Sequence, residues 1–132
     1  NRQLELYGIR MRLESVHNAI EQAKLAAAHI MGAEPPKLDT PWFWSDQYDV
    51  KLQIAGLSNG ATQHIVRGNI ADNKFAVFHL NDDNRILAVD AINSPGEFLI
   101  GKKLVMGSAK IAPHIISNLD ISIKELAALA VE

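Results

Sequence analysis

Apolar residues change their spacing twice along this chain, and those changes divide it. The first fourteen residues mix apolar and charged side chains without a period, which predicts an irregular or extended lead-in broken at Gly8. From Ser15 to about Met31 the spacing becomes helical. Val16, Ala19, Ile20, Ala23, Ala27 and Ile30 fall on one face. Ser15 can cap the helix by accepting a backbone N–H bond, and Gly32 sits where a left-handed C-terminal residue belongs. Alanines at 19, 23, 26, 27 and 28 leave little bulk, so the helix is expected to lie clamped between two layers.

Pro35, Pro36 and Pro41 make residues 33–41 a linker, because proline neither continues a helix nor lets its predecessor do so. The segment Trp42 to Tyr48 follows, with both tryptophans of the chain. From Val50 the period is two. Lys51 to Ala55 alternate as a half-buried strand does, and His64 to Arg67, Phe75 to Leu80 and Arg85 to Ala91 are three more strand candidates. Turn-forming residues separate them: Ser58-Asn59-Gly60, Asp72-Asn73 and Asn81 to Asn84. Such short connections predict an antiparallel meander. Ser94 and Pro95 open a second helix that ends near Gly107, and Pro113 begins a short helical turn. Ser122 and Glu125 form a capping box for a last helix holding Leu126, Ala127, Leu129 and Ala130. The order predicts an α+β fold, an antiparallel sheet of four or five strands flanked by helices.

Composition narrows the function. The 132 residues are 48% hydrophobic and 21% charged, enough for one domain with a real core. A net charge of -2 argues against nucleic acid, whose binders carry a clustered basic excess. No apolar run is long enough to span a bilayer, and the charges at Arg2, Glu5, Arg10, Arg12 and Glu14 do not fit a signal peptide. With no cysteine, disulfides, zinc–thiolate sites, iron–sulfur ligation and thiol nucleophiles are excluded, and a reducing cytoplasm is the fitting compartment. Asn1 in place of Met fits a processed chain or a piece of a longer one.

Candidate chemistry is sparse. Neither common glycine-rich phosphate loop is present, nor a G-x-S-x-G nucleophile turn. The histidines at 17, 29, 64, 79 and 114 form no tight pair along the sequence, so no metal site is expected. Asp82 and Asp83 near His79 read as a hairpin turn, and Asp90 as a strand-face residue among apolar neighbours. No catalytic set emerges.

Several segments nevertheless carry a resemblance. Arg12, Glu14-Ser15-Val16, Asn18-Ala19 and Glu21-Gln22-Ala23, followed by Pro41-Trp42-Phe43-Trp44-Ser45-Asp46-Gln47, resemble the FAD-dependent NAD(P)H:ferredoxin reductases of the putidaredoxin and rhodocoxin reductase type. The likeness continues through Leu52, Gly56-Leu57, Val66-Arg67-Gly68, Phe75, Val77-Phe78, Leu87-Ala88-Val89-Asp90 and Lys102-Lys103-Leu104, nearly the whole chain. It implies a C-terminal interface domain. Residues 1–32 would be the tail of an FAD domain with its last helix, 33–41 a linker, and 42–132 the C-terminal α+β domain. The implied enzyme passes electrons from NAD(P)H through FAD to a [2Fe–2S] ferredoxin that serves a P450 or a Rieske oxygenase. The fragment alone should hold neither cofactor and should be inactive.

The resemblance also assigns roles. The N–H groups around Ser15, Val16 and His17 would face the flavin, and Trp44 would lie beside it where electrons leave. Lys24 and Lys124 match basic positions that face the ferredoxin. Read without the resemblance, the same residues fit an ordinary capped helix, an aromatic anchor for the linker and solvated lysines. Trp42 and Phe43 are expected to pack. A second reading is a non-enzymatic module that homodimerises through apolar surface. A stand-alone small-ligand enzyme would need a cluster of titratable groups that the sequence does not offer.

Overall fold

Alternating side chains from Trp42 onward build one five-stranded antiparallel sheet. The computed structural model describes residues 2–131. Its strands are β3 (Trp42–Gln47), β4 (Val50–Gly56), β5 (Gln63–Asn69), β6 (Lys74–Leu80) and β7 (Ile86–Ile92). Before them come β1 (Arg2–Leu4), a 3-10 turn at Glu5–Tyr7, β2 (Ile9–Met11) and the long helix α1 (Val16–Met31). After them come α2 (Pro95–Met106), α3 (Pro113–Ser117) and α4 (Ile123–Ala128).

The sheet is antiparallel with five strands, as expected, and one correction concerns its order. The spatial order is β3-β4-β7-β6-β5, so only β5, β6 and β7 form the expected meander. The chain leaves β4 and crosses to the far edge before returning strand by strand. The fifth strand, β3, is the tryptophan segment itself, paired residue by residue with β4 from Trp42 opposite Ala55 to Gln47 opposite Val50.

One face of the sheet carries the core. Ala76, Phe78 and Leu80 of β6 alternate with half-buried residues, and with Val89 and Ala91 of β7 they meet Phe98, Leu104 and Val105 of α2. Gly101 lets α2 lie directly on β7, since a Cβ there would stand 2.8 Å from Val89 Cγ2. Ile116 of α3 and Leu126 of α4 close the far side. The buried Arg67 of β5 ties those helices down. It donates to the carbonyls of Ile116 (3.0 Å), Asn118 (2.8 Å) and Ile121 (2.6 Å).

Helix termini follow the chemistry of their residues, with one exception. Ser15 Oγ accepts from Asn18 N–H, and Gly32 is left-handed at φ 62°. Ser122 and Glu125 complete both halves of the capping box, and α4 stops at Ala128, so Leu129 and Ala130 fall outside it. Ser94 occupies the cap position of α2, but its hydroxyl makes no capping bond.

The N-terminal segment is not irregular. β1 and β2 form a small hairpin, turned at the left-handed Gly8. It docks on the main sheet through Tyr7, whose hydroxyl donates to the Leu87 carbonyl and accepts from Leu57 N–H, both at 2.8 Å. Gly56, at φ 82°, makes room: any side chain there would strike the Leu87 carbonyl and the Tyr7 hydroxyl. Arg85 donates to the Leu6 carbonyl beside it.

Helix α1 departs most from expectation. Its buried residues are Asn18 and Glu21, not the apolar stripe. Val16, Ile20 and Ile30 stand 59%, 50% and 83% exposed. The polar side is the packed one because it has partners. Asn18 donates to the Leu13 carbonyl at 2.7 Å, and Glu21 accepts from Asp39 N–H at 3.0 Å. The helix is therefore covered on one side only among the described residues.

Burial pushes the Tyr7 phenol up to about 12 from an ordinary value of 10. A raised folded-state value favours the neutral phenol in the fold. The stabilisation is thus complete below pH 10 and is lost as pH rises toward 12. Unfolding followed between pH 8 and 12 should show this decline in the native chain and a flatter profile in Tyr7→Phe. That variant should also be less stable at neutral pH by about 1–3 kcal/mol, because two backbone groups lose their partner.

Candidate functional site

The site is assembled on Trp42. Along an extended strand alternate side chains share a face, so Trp42 and Trp44 point the same way from β3, with ring centroids 5.0 Å apart. Three further groups close on Trp42. Phe98 of α2 approaches to 5.8 Å between centroids and His17 of α1 to 5.7 Å. Lys102 of α2 places its ammonium 5.6 Å from the ring centre, where a cation is attracted by the negative face of an indole. One side chain thus joins the edge strand, the core helix and the long N-terminal helix.

A polar clamp surrounds this stack and holds the linker. Lys102 bonds Asp39, whose other carboxylate oxygen accepts from Thr40 N–H at 2.8 Å. His17 Nε2 stands 3.8 Å from Glu21 and 3.9 Å from Asp39. Pro41 ends the linker by giving its carbonyl to Gly56 N–H at 2.7 Å. The clamp fixes where α1 begins relative to β3.

The consequence is a cleft of about 220 Å³ lined by Glu14, Ser15, Val16, Phe43 and Trp44. The first N–H groups of a helix lack a carbonyl one turn earlier and carry partial positive charge. Ser15 Oγ takes the N–H of Asn18 at 3.1 Å, and no acidic residue lies in the first turn of α1 to offset that charge. Glu14, just before it, is engaged by Arg12 at 2.5 Å. Trp44 is 46% exposed and also lines a second cleft with Asp46, Lys51 and Pro95. A larger opening shares Glu14 and Ser15 with this cleft and is lined further by Arg12, Leu13, Asn18, Ala19 and Gln22.

The structure brings three of the residues singled out from sequence to one cleft: Ser15, Val16 and Trp44. The His17 side chain turns away from it, into the Trp42 stack. Phe43 was assigned to packing, yet it lines the cleft. Lys24 on α1 and Lys124 on α4 are exposed and lie outside the cleft. Sequence reasoning missed Asp39 and Lys102, because their pairing joins a proline-rich linker to a helix 63 residues later.

It also missed a histidine pair. Spacing along the chain keeps the histidines apart, but the β5–β6 register sets His64 directly opposite His79. Their Nδ1 atoms lie 2.8 Å apart, and His79 Nε2 lies 2.9 Å from Asp90 Oδ2. Only strand pairing, a long-range property, could have revealed this.

The chain is 42% identical over 126 residues to putidaredoxin reductase from Pseudomonas putida, covering 96% of this chain and 30% of that protein. It is 37% identical over 114 residues to rhodocoxin reductase from Rhodococcus erythropolis, covering 86% and 26%. The crystal structure of the covalent putidaredoxin reductase–putidaredoxin complex superposes with a TM-score of 0.90 at 41% identity, over 97% of this chain and 30% of that one. The chain therefore spans under a third of the length of these relatives. The sequence model of the family described as "Reductase C-terminal" matches residues 42–127, well over half of the chain, and the chain belongs to that family.

Proposed function

We propose that this chain is the C-terminal part of a longer NAD(P)H-dependent flavoprotein that reduces a [2Fe–2S] ferredoxin serving a P450 or a Rieske oxygenase. The carrying observation is the shared cleft: the start of α1 and the half-exposed face of Trp44 open onto one space. The likeness to putidaredoxin and rhodocoxin reductases supports the same reading. Residues 1–32 would complete an FAD domain, 33–41 link it, and 42–132 form the covering domain. The uncovered apolar stripe of α1, from Val16 to Ile30, is the surface such a preceding domain would bury.

The residues present fit one edge of a flavin. Ser15, Val16 and His17 would hold it through backbone at the helix start, where negative charge is favoured, and Trp44 would cover its face. The flavin, when bound, supplies the exchange between hydride and single-electron chemistry. The chain's own residues do the rest. Ser15 Oγ accepts the Asn18 N–H as the helix cap, which positions the first turn and leaves its own O–H able to donate to a ligand. Trp42 props Trp44 from below, and Trp44 excludes water while offering an aromatic surface toward a partner. Lys24 and Lys124 would steer an acidic ferredoxin by charge.

Two outcomes follow. Mixed with FAD, the 132-residue chain should bind no stoichiometric flavin in equilibrium dialysis, since it supplies one edge and no phosphate loop. A yellow complex with one flavin per chain would contradict that division of labour. In the full-length protein, Trp44→Ala, or Lys24→Glu with Lys124→Glu, should slow ferredoxin reduction by about tenfold or more, a cost near 1.4 kcal/mol. Reduction of a small dye should change little. Equal losses with both acceptors would remove the docking role.

A further inference from the structure

We propose that His64 and His79 form a binding site for a divalent transition-metal ion of the Cu(II) or Ni(II) kind, with Asp90 orienting His79. The site lies on the face of the sheet opposite the core. Fully buried Phe78 and Leu80 point toward the helices, so His79 between them points away. Asp90 likewise sits between buried Val89 and Ala91. Trp44 pairs with Gln53, in register with Ala91 and hence on the core face. Phe43 of the cleft shares the face of Asp90, but β3 and β5 are opposite edges of the sheet, so the histidine pair is separate from the flavin reading.

Hydrogen-bond bookkeeping fixes the tautomers. A carboxylate only accepts, so His79 donates to Asp90 from Nε2. His79 Nδ1 then carries a lone pair directed at His64 Nδ1, 2.8 Å away, and His64 must supply the intervening hydrogen. An ion cannot sit on that line, about 1.4 Å from each nitrogen against the 2.0–2.1 Å it needs, so it would displace the hydrogen from one side of the pair. His64 is exposed; moving its proton to Nε2 frees both Nδ1 lone pairs, and a turn of its ring aims them at one point beside the pair, with no net proton lost. Asp90 on the far nitrogen of His79 is the carboxylate–histidine arrangement that fixes ring orientation and raises ligand basicity at metal sites.

The separation favours one kind of ion. Two imidazole nitrogens about 2.0–2.1 Å from one ion lie about 2.9 Å apart at a right angle and about 3.4 Å apart at the tetrahedral angle. The hydrogen-bonded pair starts at 2.8 Å, so the right angle of square-planar, tetragonal or octahedral coordination, as Cu(II) and Ni(II) prefer, asks the smaller opening of the two. No group of three or more His, Cys, Asp or Glu side chains converges on a metal position among the described residues. The protein thus supplies two ligands, and water completes the shell.

The test uses the 132-residue chain with Ni(II) and Cu(II) salts. Ni(II) should bind once per chain by calorimetry and raise the Tm, because an ion bound to the folded hairpin stabilises it by mass action. The Cu(II) adduct should show two equivalent nitrogens by electron paramagnetic resonance. His64→Ala, at an exposed position, should keep the metal-free Tm and lose both the Ni(II)-dependent rise and the second nitrogen. Asp90→Asn should weaken Ni(II) binding by about 10–100-fold while keeping the two-nitrogen spectrum. The remaining histidines are present in every variant. If Ni(II) raises the Tm of His64→Ala as much as that of the native chain, or if copper shows a single nitrogen, the proposal is overturned.

Discussion

Stacking on Trp42 is the contact from which the candidate site takes its shape. An indole at the edge of a sheet has a large apolar surface to bury and few neighbours to bury it against. Here α2 supplies Phe98 and Lys102, α1 supplies His17, and Trp44 lies on the same strand face. Aromatic pairs in such geometry contribute about 0.5–1.5 kcal/mol each beyond the area they bury. Without them, α1 would be tethered by a proline-rich linker and a few polar bonds, and its start would have no fixed place relative to Trp44.

The other anchors serve the same geometry from a distance. Tyr7 binds the N-terminal hairpin to the sheet through two backbone groups, and Arg67 binds the C-terminal helices through three carbonyls. Each uses one polar side chain to satisfy several buried groups at once, as interiors require. The result is a sheet with helices on one face and a long helix held at one edge. That edge presents a positive helix end and an aromatic plane together. The exposed stripe of α1 beside them is apolar, as a surface awaiting a larger body would be.

Local chemistry was legible in the sequence wherever it acts over a few residues. Ser15 and Gly32 bounded α1, Ser122 and Glu125 bounded the start of α4, and period-two alternation located β4 to β7. The tryptophan strand was not legible as a strand, because Trp42, Phe43 and Trp44 are apolar in a row and Ser45, Asp46 and Gln47 polar in a row. Strand β3 is extended because β4 pairs with it, not because its own pattern alternates. The apolar period of α1 was real, but periodicity cannot say which face has a partner. Asn18 and Glu21 are buried because Leu13 and Asp39 are there to bond them. Pairings across long separations, Lys102 with Asp39 and His64 with His79, depend on topology that no local pattern encodes. The cleft itself was reachable only through the resemblance, which named Ser15, Val16 and Trp44 before any geometry placed them together.

The central claim is that the Trp42 stack holds Trp44 against a flavin supplied by the rest of the full-length protein. The flavin fluorescence lifetime of that holoprotein tests it directly, because an indole in contact with a flavin quenches its emission by electron transfer. The account predicts a short lifetime in the native protein, lengthened in Trp44→Leu and also in Trp42→Leu, where the support under Trp44 is gone. An identical lifetime in all three proteins would contradict it.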